Sequence, residues 1–455
     1  MNAPEQFMQN MQTLLQDEFP AYAASFSMPS TRGLRLNTNR HDAKIRCKGL
    51  PFIAEKIPYV DNGYFINEQA QPAKHPYYAA GLYYLQEPSA MLPADRLPVQ
   101  KGDLVLDLCA APGGKATALL AKLEGSGMLL ANDISASRAK ALQKNLVLTG
   151  FDNFFVSAED PQKLAALYGQ VFDKILVDAP CSGEGMFRHD PALMKDWMKK
   201  GPAFYAPIQK EILKSAVSML KPGGMLLYST CTFSVTENEE NILWLLNEYP
   251  ILHPVEIKKT DGMQEGYLGL HEAARCFPHL MKGEGHFLAL LRKEEDSNRR
   301  EPFTKTFSGK ECRLPESLME FLEQIRKPVD PDRIFIQNGC VLYLPDGYER
   351  LYRNQVRYLR TGLLLGSIHD RKSFKADQAL ALWLDASAFD NTLDLPVSDD
   401  RVMRYLRGET IFTEPSDPGI LEGDVLICAD HYALGFAKLQ NGKLKNALHP
   451  GFIMH

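Results

Sequence analysis

The feature that most constrains this 455-residue chain is the run LVLDLCAAPGGKATALLAKL at residues 104–123. An apolar segment ends at Asp107, a turn of small residues follows, and a helix-forming stretch begins at once. A strand passing straight into a helix through so tight a turn belongs to a sheet whose faces are covered by helices, which means a mostly parallel one. The alternation continues through MLLAN (128–132), FFVS (154–157), DKILVD (173–178) and GMLLYST (224–230), with HFLALLR (286–292) as a late addition. Strands separated by helical stretches read as right-handed βαβ crossovers. Residues 98–293 are therefore expected to form a doubly wound α/β sheet.

The flanks differ in pattern. Residues 1–97 mix short helical and extended stretches, with Phe7, Met11, Leu14 and Leu15 at helical spacing, and read as an amino-terminal α+β domain. Residues 294–311 are charged and poor in aliphatics, as in a linker. A middle domain over 312–390 and a small β-barrel-like module over 391–455 follow, the latter punctuated by Gly423-Asp424 and Gly442-Lys443. Composition is that of a soluble globular protein, 45% hydrophobic and 24% charged. The balance of 51 Lys+Arg against 56 Asp+Glu, a net of −5, carries no overall attraction for a polyanion, so any nucleic-acid contact must rest on local charge. Neither a secretory signal nor a membrane span is expected. Eight cysteines without a C-x-x-C pair argue against a disulfide framework and a zinc ribbon, and for a reducing cytoplasm; the protein is expected to be a monomer.

Small residues at 109–115 let backbone approach a ligand, and the following helix offers unpaired N–H groups and a positive dipole end. Asp133 ends the next strand about 20 residues beyond Gly114, where an acidic side chain meets ribose hydroxyls. The sequence A-A-P-G-G-K lacks the spaced glycines of a dinucleotide loop, and Lys115 is followed by Ala116, unlike a P-loop. The remaining common occupant is S-adenosylmethionine, whose sulfonium cation suits Asp107, Asp133, Asp160 and Asp178, each at or just after a strand end.

Cys181 follows the fourth strand in DKILVDAPCSGEGMFRHDP, and Cys231 follows the fifth in GGMLLYSTCTFSVTENEENI. Ligands of open α/β sheets bind beyond the carboxyl ends of the strands, so both thiols are expected at the cofactor edge. Thr236 and Glu239 have the spacing of a capping box for the next helix. Two thiols suit methylation at carbon-5 of a pyrimidine. Thiolate attack on carbon-6 makes carbon-5 nucleophilic, and Asp178 could hydrogen-bond the ring at N3.

LDLCAAPGGK, VDAPCSGEGMFR and YSTCTFS closely resemble the motifs of the Sun-type RNA cytosine-carbon-5 methyltransferases. QEPSAMLPA and the GEGMFR extension resemble the bacterial ribosomal RNA methyltransferase F (RsmF/YebU) group in particular. The resemblance implies a Rossmann-like class I methyltransferase domain, an RNA-binding amino-terminal domain and a PUA-like RNA-binding module at the end. It makes Cys231 the nucleophile and Cys181 the group that assists product release, with Asp178 as the third catalytic residue. Cys109, Ala110, Ala111, Pro112, Gly113, Gly114, Lys115, Asp133, Asp160 and Asp178 would contact S-adenosylmethionine. The reaction would convert cytidine to 5-methylcytidine in 16S ribosomal RNA, free or within the 30S subunit. Many family members carry a basic residue where this chain has His189 after Arg188.

Other candidates are weaker. His279 and His286 are too few for a metal site, and none is expected. Arg35 and Asn37 suit a core or an RNA-facing role. Arg350, Arg353, Arg357, Arg360, Arg371, Lys372 and Lys375, with Tyr352 and Tyr358 interleaved, read either as a phosphate-contacting strip or as a solvated face. Lys438, Lys443 and Lys445 fall near turns of the last module. Transfer RNA as substrate and a non-catalytic ribosome-assembly factor are the alternatives that the motifs leave open, and a DNA methyltransferase is disfavoured because Cys231 would lack a role.

Overall fold

The computed structural model describes residues 3–40, 42–296, 314–369 and 373–454. Most of the expected 294–311 linker, together with Arg371 and Lys372, lies outside the described residues. The amino-terminal part opens with the helix Glu5–Leu15, which buries Phe7, Met11 and Leu15. Leu14 remains at its margin. Strands β1 (Gly33–Leu36), β2 (Ile53–Lys56), β3 (Gly63–Ile66) and β4 (Tyr83–Gln86) then form an antiparallel sheet in the order β2-β3-β1-β4.

The central sheet contains β5 (Leu104–Asp107), β6 (Met128–Asn132), β7 (Phe154–Ser157), β8 (Phe172–Asp178) and β9 (Leu220–Thr230), all parallel, in the order β9-β8-β5-β6-β7. Every residue of β5, β6 and β7 is buried, because helices cover both faces. The strand order reverses between β5 and β8, so the loops after these two strands diverge and open a crevice. Strands β10 (Leu252–Val255), β11 (Met263–Glu265), β12 (Ala274–Cys276) and β13 (His286–Lys293) extend the sheet beyond β9, and β13 runs antiparallel to β9.

The middle region carries β14 (Ile334–Gln337), β15 (Cys340–Tyr343), β16 (Tyr358–Thr361), β17 (Leu363–His369) and β18 (Ser373–Ala376). Four of these form an antiparallel sheet, whereas β16 pairs with β7 and becomes the last strand of the central sheet. The final module holds β19 (Thr392–Leu395), β20 (Ile411–Phe412), β21 (Gly423–Ala429), β22 (Tyr432–Gln440) and β23 (Lys443–Asn446) in the order β19-β21-β22-β23-β20, an open half-barrel that is antiparallel apart from β19 beside β21. Its core is shared with the amino-terminal sheet: Leu34, Leu36 and Tyr83 pack in one cluster with Leu393, Tyr405 and Val425. None of the described helices is long and apolar enough to cross a membrane.

Candidate active site at the sheet switch point

Gly113 and Gly114 shape the turn after β5. Gly113 has φ 117°, a conformation open to glycine, and a Cβ on Gly114 would lie 2.9 Å from the Gln86 side chain. The Ala111–Pro112 peptide is cis. Arg138 donates to the Ala111 carbonyl (2.7 Å) and Asn145 to that of Pro112 (2.8 Å), so the loop is held from the helix Ala136–Leu148. From the other side Arg35, buried in β1, donates to Gly114 O (3.0 Å) and Thr117 Oγ1 (2.6 Å). Asn37 donates to Gly81 O and Thr149 O. Both residues are therefore core rather than RNA-facing: Arg35 fastens the amino-terminal domain to the cofactor-loop helix, and Asn37 fastens it to the end of the helix Ala136–Leu148.

A cavity of about 510 Å³ opens where the strand order reverses, within the usual range for a small-molecule site. Cys109, Ala111, Asp133, Asp160, Asp178, Cys181 and Cys231 line it, which brings together residues from the ends of β5, β6, β7, β8 and β9. Ala110, Pro112, Gly113, Gly114 and Lys115 do not line the cavity but form its supporting turn. Asp133 accepts from the Ser135 amide (2.9 Å) and pairs with Arg138 (3.3 Å). Asp160 caps the helix Pro161–Tyr168 through the Gln162 amide (2.8 Å).

Carboxyl groups dominate the electrostatics of the site. Asp107 is fully buried, and neither carboxylate oxygen has a well-formed hydrogen bond among the described residues. Burial, then the nearby Asp178 carboxylate, pushes the Asp107 carboxyl up to about 8. Burial and the same group of carboxylates hold the Cys109 thiol well above its ordinary range. Arg138 pairs with Asp133, and Lys115 with Asp178, its Nζ 2.7 Å from Oδ2, which leaves Asp107 without an ion-pair partner among the described residues. Burial would lower the Lys115 ammonium, but Asp178 outweighs it and keeps it above its ordinary value. Asp178 is opposed by burial, but Lys115 and then His286 hold its carboxyl well below the carboxylate range.

The two thiols meet at the mouth of this site, with Cys181 Sγ and Cys231 Sγ 3.4 Å apart. The contact with Cys231, followed by burial, pushes the Cys181 thiol well up. The loops that carry them are joined underneath by side chains that motif reading passed over. Glu237 accepts from the Ser182 amide (3.0 Å), the Ser182 hydroxyl and Gln209 (2.8 Å), and burial raises its carboxyl to about 7. Glu184 accepts from Trp197 Nε1 and the Phe233 amide, both at 2.9 Å. The run ENEE at 237–240 was the one sequence signal of this network.

Several expectations are corrected. Thr236 and Glu239 form no capping box: the helix Glu239–Glu248 starts after Asn238 without a side-chain cap, and Glu239 instead makes a buried ion pair with Arg275 of β12 (Nε–Oε1 2.6 Å, Nη2–Oε2 2.5 Å). Arg188 makes a buried pair with Glu284 (2.8 Å) and donates to Ser25 O, while His189 is exposed beside it. His279 and His286 go to different carboxylates, Glu18 (2.9 Å) and Asp178 (3.4 Å). The basic strip is not one surface. Arg353 lies over the Tyr168 ring, Arg360 is largely desolvated, and Tyr358 bonds Tyr168 and stacks on Tyr352, which leaves Arg350, Arg357 and Lys375 exposed. Lys438 lies within β22, and Lys443 and Lys445 within β23, rather than on turns. Lys438 and Lys445 are directly opposed and exposed.

Residues 94–292 match the family described as 16S rRNA methyltransferase RsmB/F, residues 3–88 the N-terminal domain of 16S rRNA methyltransferase RsmF, and residues 392–454 the methyltransferase RsmF PUA domain. The ribosomal RNA small subunit methyltransferase F of Erwinia tasmaniensis is 32% identical over 97% of this chain and 95% of its own length. The chain belongs to this methyltransferase family. An Escherichia coli relative of the same name is 31% identical over 98% and 95%. Among solved structures, a methyltransferase homologue from Pyrococcus horikoshii superposes with a TM-score of 0.52 at 29% identity, covering 61% of this chain and 91% of that one. NSun6 from the same organism shares the fold, with a TM-score of 0.56 at 22% identity over 64% and 99%. The chain is thus a class I, S-adenosylmethionine-dependent methyltransferase acting on RNA, with a PUA module at its end. S-Adenosylmethionine suits the observed residues: Asp133 for the ribose, the 109–115 turn for the methionine end, and a site rich in carboxyl groups, Asp107 without an ion-pair partner among the described residues, for the cationic centre.

Proposed function

We propose that this protein converts cytidine to 5-methylcytidine in 16S ribosomal RNA, as a cytoplasmic monomer acting on free RNA or the 30S subunit. The observation that carries the reading is the pair of thiols 3.4 Å apart in the cavity that also receives Asp178. Cys231 as a thiolate attacks cytosine carbon-6, forming the S–C6 bond and pushing the ring electrons toward carbon-5. With N3 carrying a proton, Asp178, kept ionised by Lys115, accepts a hydrogen bond from N3–H and stabilises the positive charge that makes carbon-6 electrophilic, so the electrons pushed into the ring leave it neutral. S-Adenosylmethionine supplies an electrophilic methyl group. A base then takes the carbon-5 proton, the C–H electrons restore the C5–C6 double bond, and the S–C6 bond breaks to release Cys231 as a thiolate, a release that Cys181, 3.4 Å away, assists.

Cys231→Ala is expected to abolish transfer of labelled methyl to RNA, whereas Cys181→Ala accumulates a protein–RNA adduct stable to denaturing electrophoresis. Full activity in Cys231→Ala ends the proposal. Bisulfite mapping of ribosomal and transfer RNA with and without the protein identifies the substrate, and loss of protection in transfer RNA alone would reassign it.

A further inference from the structure

We propose that His286 is a positioning residue of this site, fixing the Asp178 carboxylate for the reacting base. The inference rests on the cytosine-methylation reading, since it assigns the histidine a part in that reaction.

His286 is the first residue of β13, and the residues after it, Phe287 to Leu291, are buried core. An apolar side chain would fill this position at lower desolvation cost, so a buried imidazole here needs a polar use. Its side chain is 2% exposed, and its Nε2 lies 3.4 Å from Asp178 Oδ1. Nδ1 is buried without a hydrogen-bond partner among the described residues. With Nδ1 unpartnered, the polar contact of the ring is Nε2, whose N–H donates to Asp178.

Asp178 is thereby held from three elements. Lys115 of the cofactor-loop helix takes Oδ2 (2.7 Å), Ser229 of β9 donates to Oδ1 (2.7 Å), and His286 of β13 approaches Oδ1 from the adjacent strand. Donors on both oxygens fix the carboxylate plane, which two donors at exposed sites would not. The 3.4 Å separation is at the long end of a hydrogen bond, as is common before a substrate draws a site together.

The test compares His286→Phe, which keeps a ring but removes the donor, with His286→Gln, whose amide nitrogen can replace Nε2–H. In the full-length chain, single-turnover methyl transfer to RNA should fall by about 10- to 100-fold in His286→Phe, the scale of one lost hydrogen bond to a charged group. Calorimetric affinity for S-adenosylmethionine and the melting temperature should stay near native, and His286→Gln should recover most of the rate. Equal losses in both variants would indicate packing, a parallel loss of S-adenosylmethionine affinity would indicate ligand binding, and a native rate in His286→Phe would indicate no role. Each of these overturns the proposal. Long-range proton–nitrogen spectra of labelled histidine provide a readout independent of turnover: a ring that carries a proton on Nε2 supports it, and a ring protonated at Nδ1 alone refutes it. A native protein that transfers no methyl group to RNA would instead refute the functional reading.

Discussion

Asp107 bears a desolvation cost that its surroundings offset only in part. Its carboxyl titrates at about 8 in the folded chain, against about 3.9 when unfolded. It is therefore neutral when folded, and the stability associated with that protonation is fully present below the unfolded value and is lost as pH rises toward and through 8. Asp107→Asn, which does not titrate, is expected to melt increasingly above the native protein between pH 6 and pH 9 while binding S-adenosylmethionine more weakly. Differential scanning calorimetry at the two pH values, with and without ligand, tests both halves. A variant that gains nothing at pH 9 would show that the buried carboxylate is compensated. At this scale Cys181, Cys231, Asp133 and Asp178 were legible from the sequence because each sits at a strand end beside residues that force an open loop. His286 was not, because its partner is 108 positions away and no local pattern records such a contact. Nor can a run of arginines show that one lies over Tyr168 while another is exposed.

The elements that frame the site were legible almost to the residue where an apolar run lies between breakers, as in Met128–Asn132 and Phe154–Ser157. They failed where a side chain had a distant partner. Glu239 matched a local capping pattern, but Arg275 took both of its oxygens. Arg275 also donates to the Phe233 carbonyl (2.9 Å), two residues beyond Cys231, so this ion pair stiffens the nucleophile loop. Arg275→Met leaves Glu239 as an uncompensated buried charge and should cost about 3–5 kcal/mol of stability by denaturant titration. The double variant Arg275→Met with Glu239→Leu should recover much of that loss, and its failure to do so would place the loss in packing rather than in buried charge. Methyl-transfer rates should stay low in both, because neither restores the donor to the Phe233 carbonyl.

Across the whole molecule, the net charge of −5 proved a weak guide, since acidic side chains gather around the cofactor cavity while exposed Lys438 and Lys445 lie side by side on the last module. The order of domains was readable from shifts in composition, but their packing was not. Nothing local shows that β1 and β4 share a core with β21, or that Tyr77 bonds Asp430 (2.6 Å). The same is true of β16, which pairs with β7 from about 200 positions later. Without it, the apolar strand Phe154–Ser157 presents an open edge able to recruit other chains. Leu359→Pro in the full-length protein should weaken this pairing and show as concentration-dependent association in sedimentation velocity; a variant that remains a single species would mean that β7 does not need its cover. The pairing also imposes an order on biosynthesis. When Lys293 leaves the ribosome the parallel strands are complete, yet the segment that closes their edge is still 65 residues from emerging, an interval on the order of 3–13 s at about 5–20 residues per second. During those seconds the nascent enzyme carries an unfinished border, and the cell must shelter it until translation supplies the missing strand.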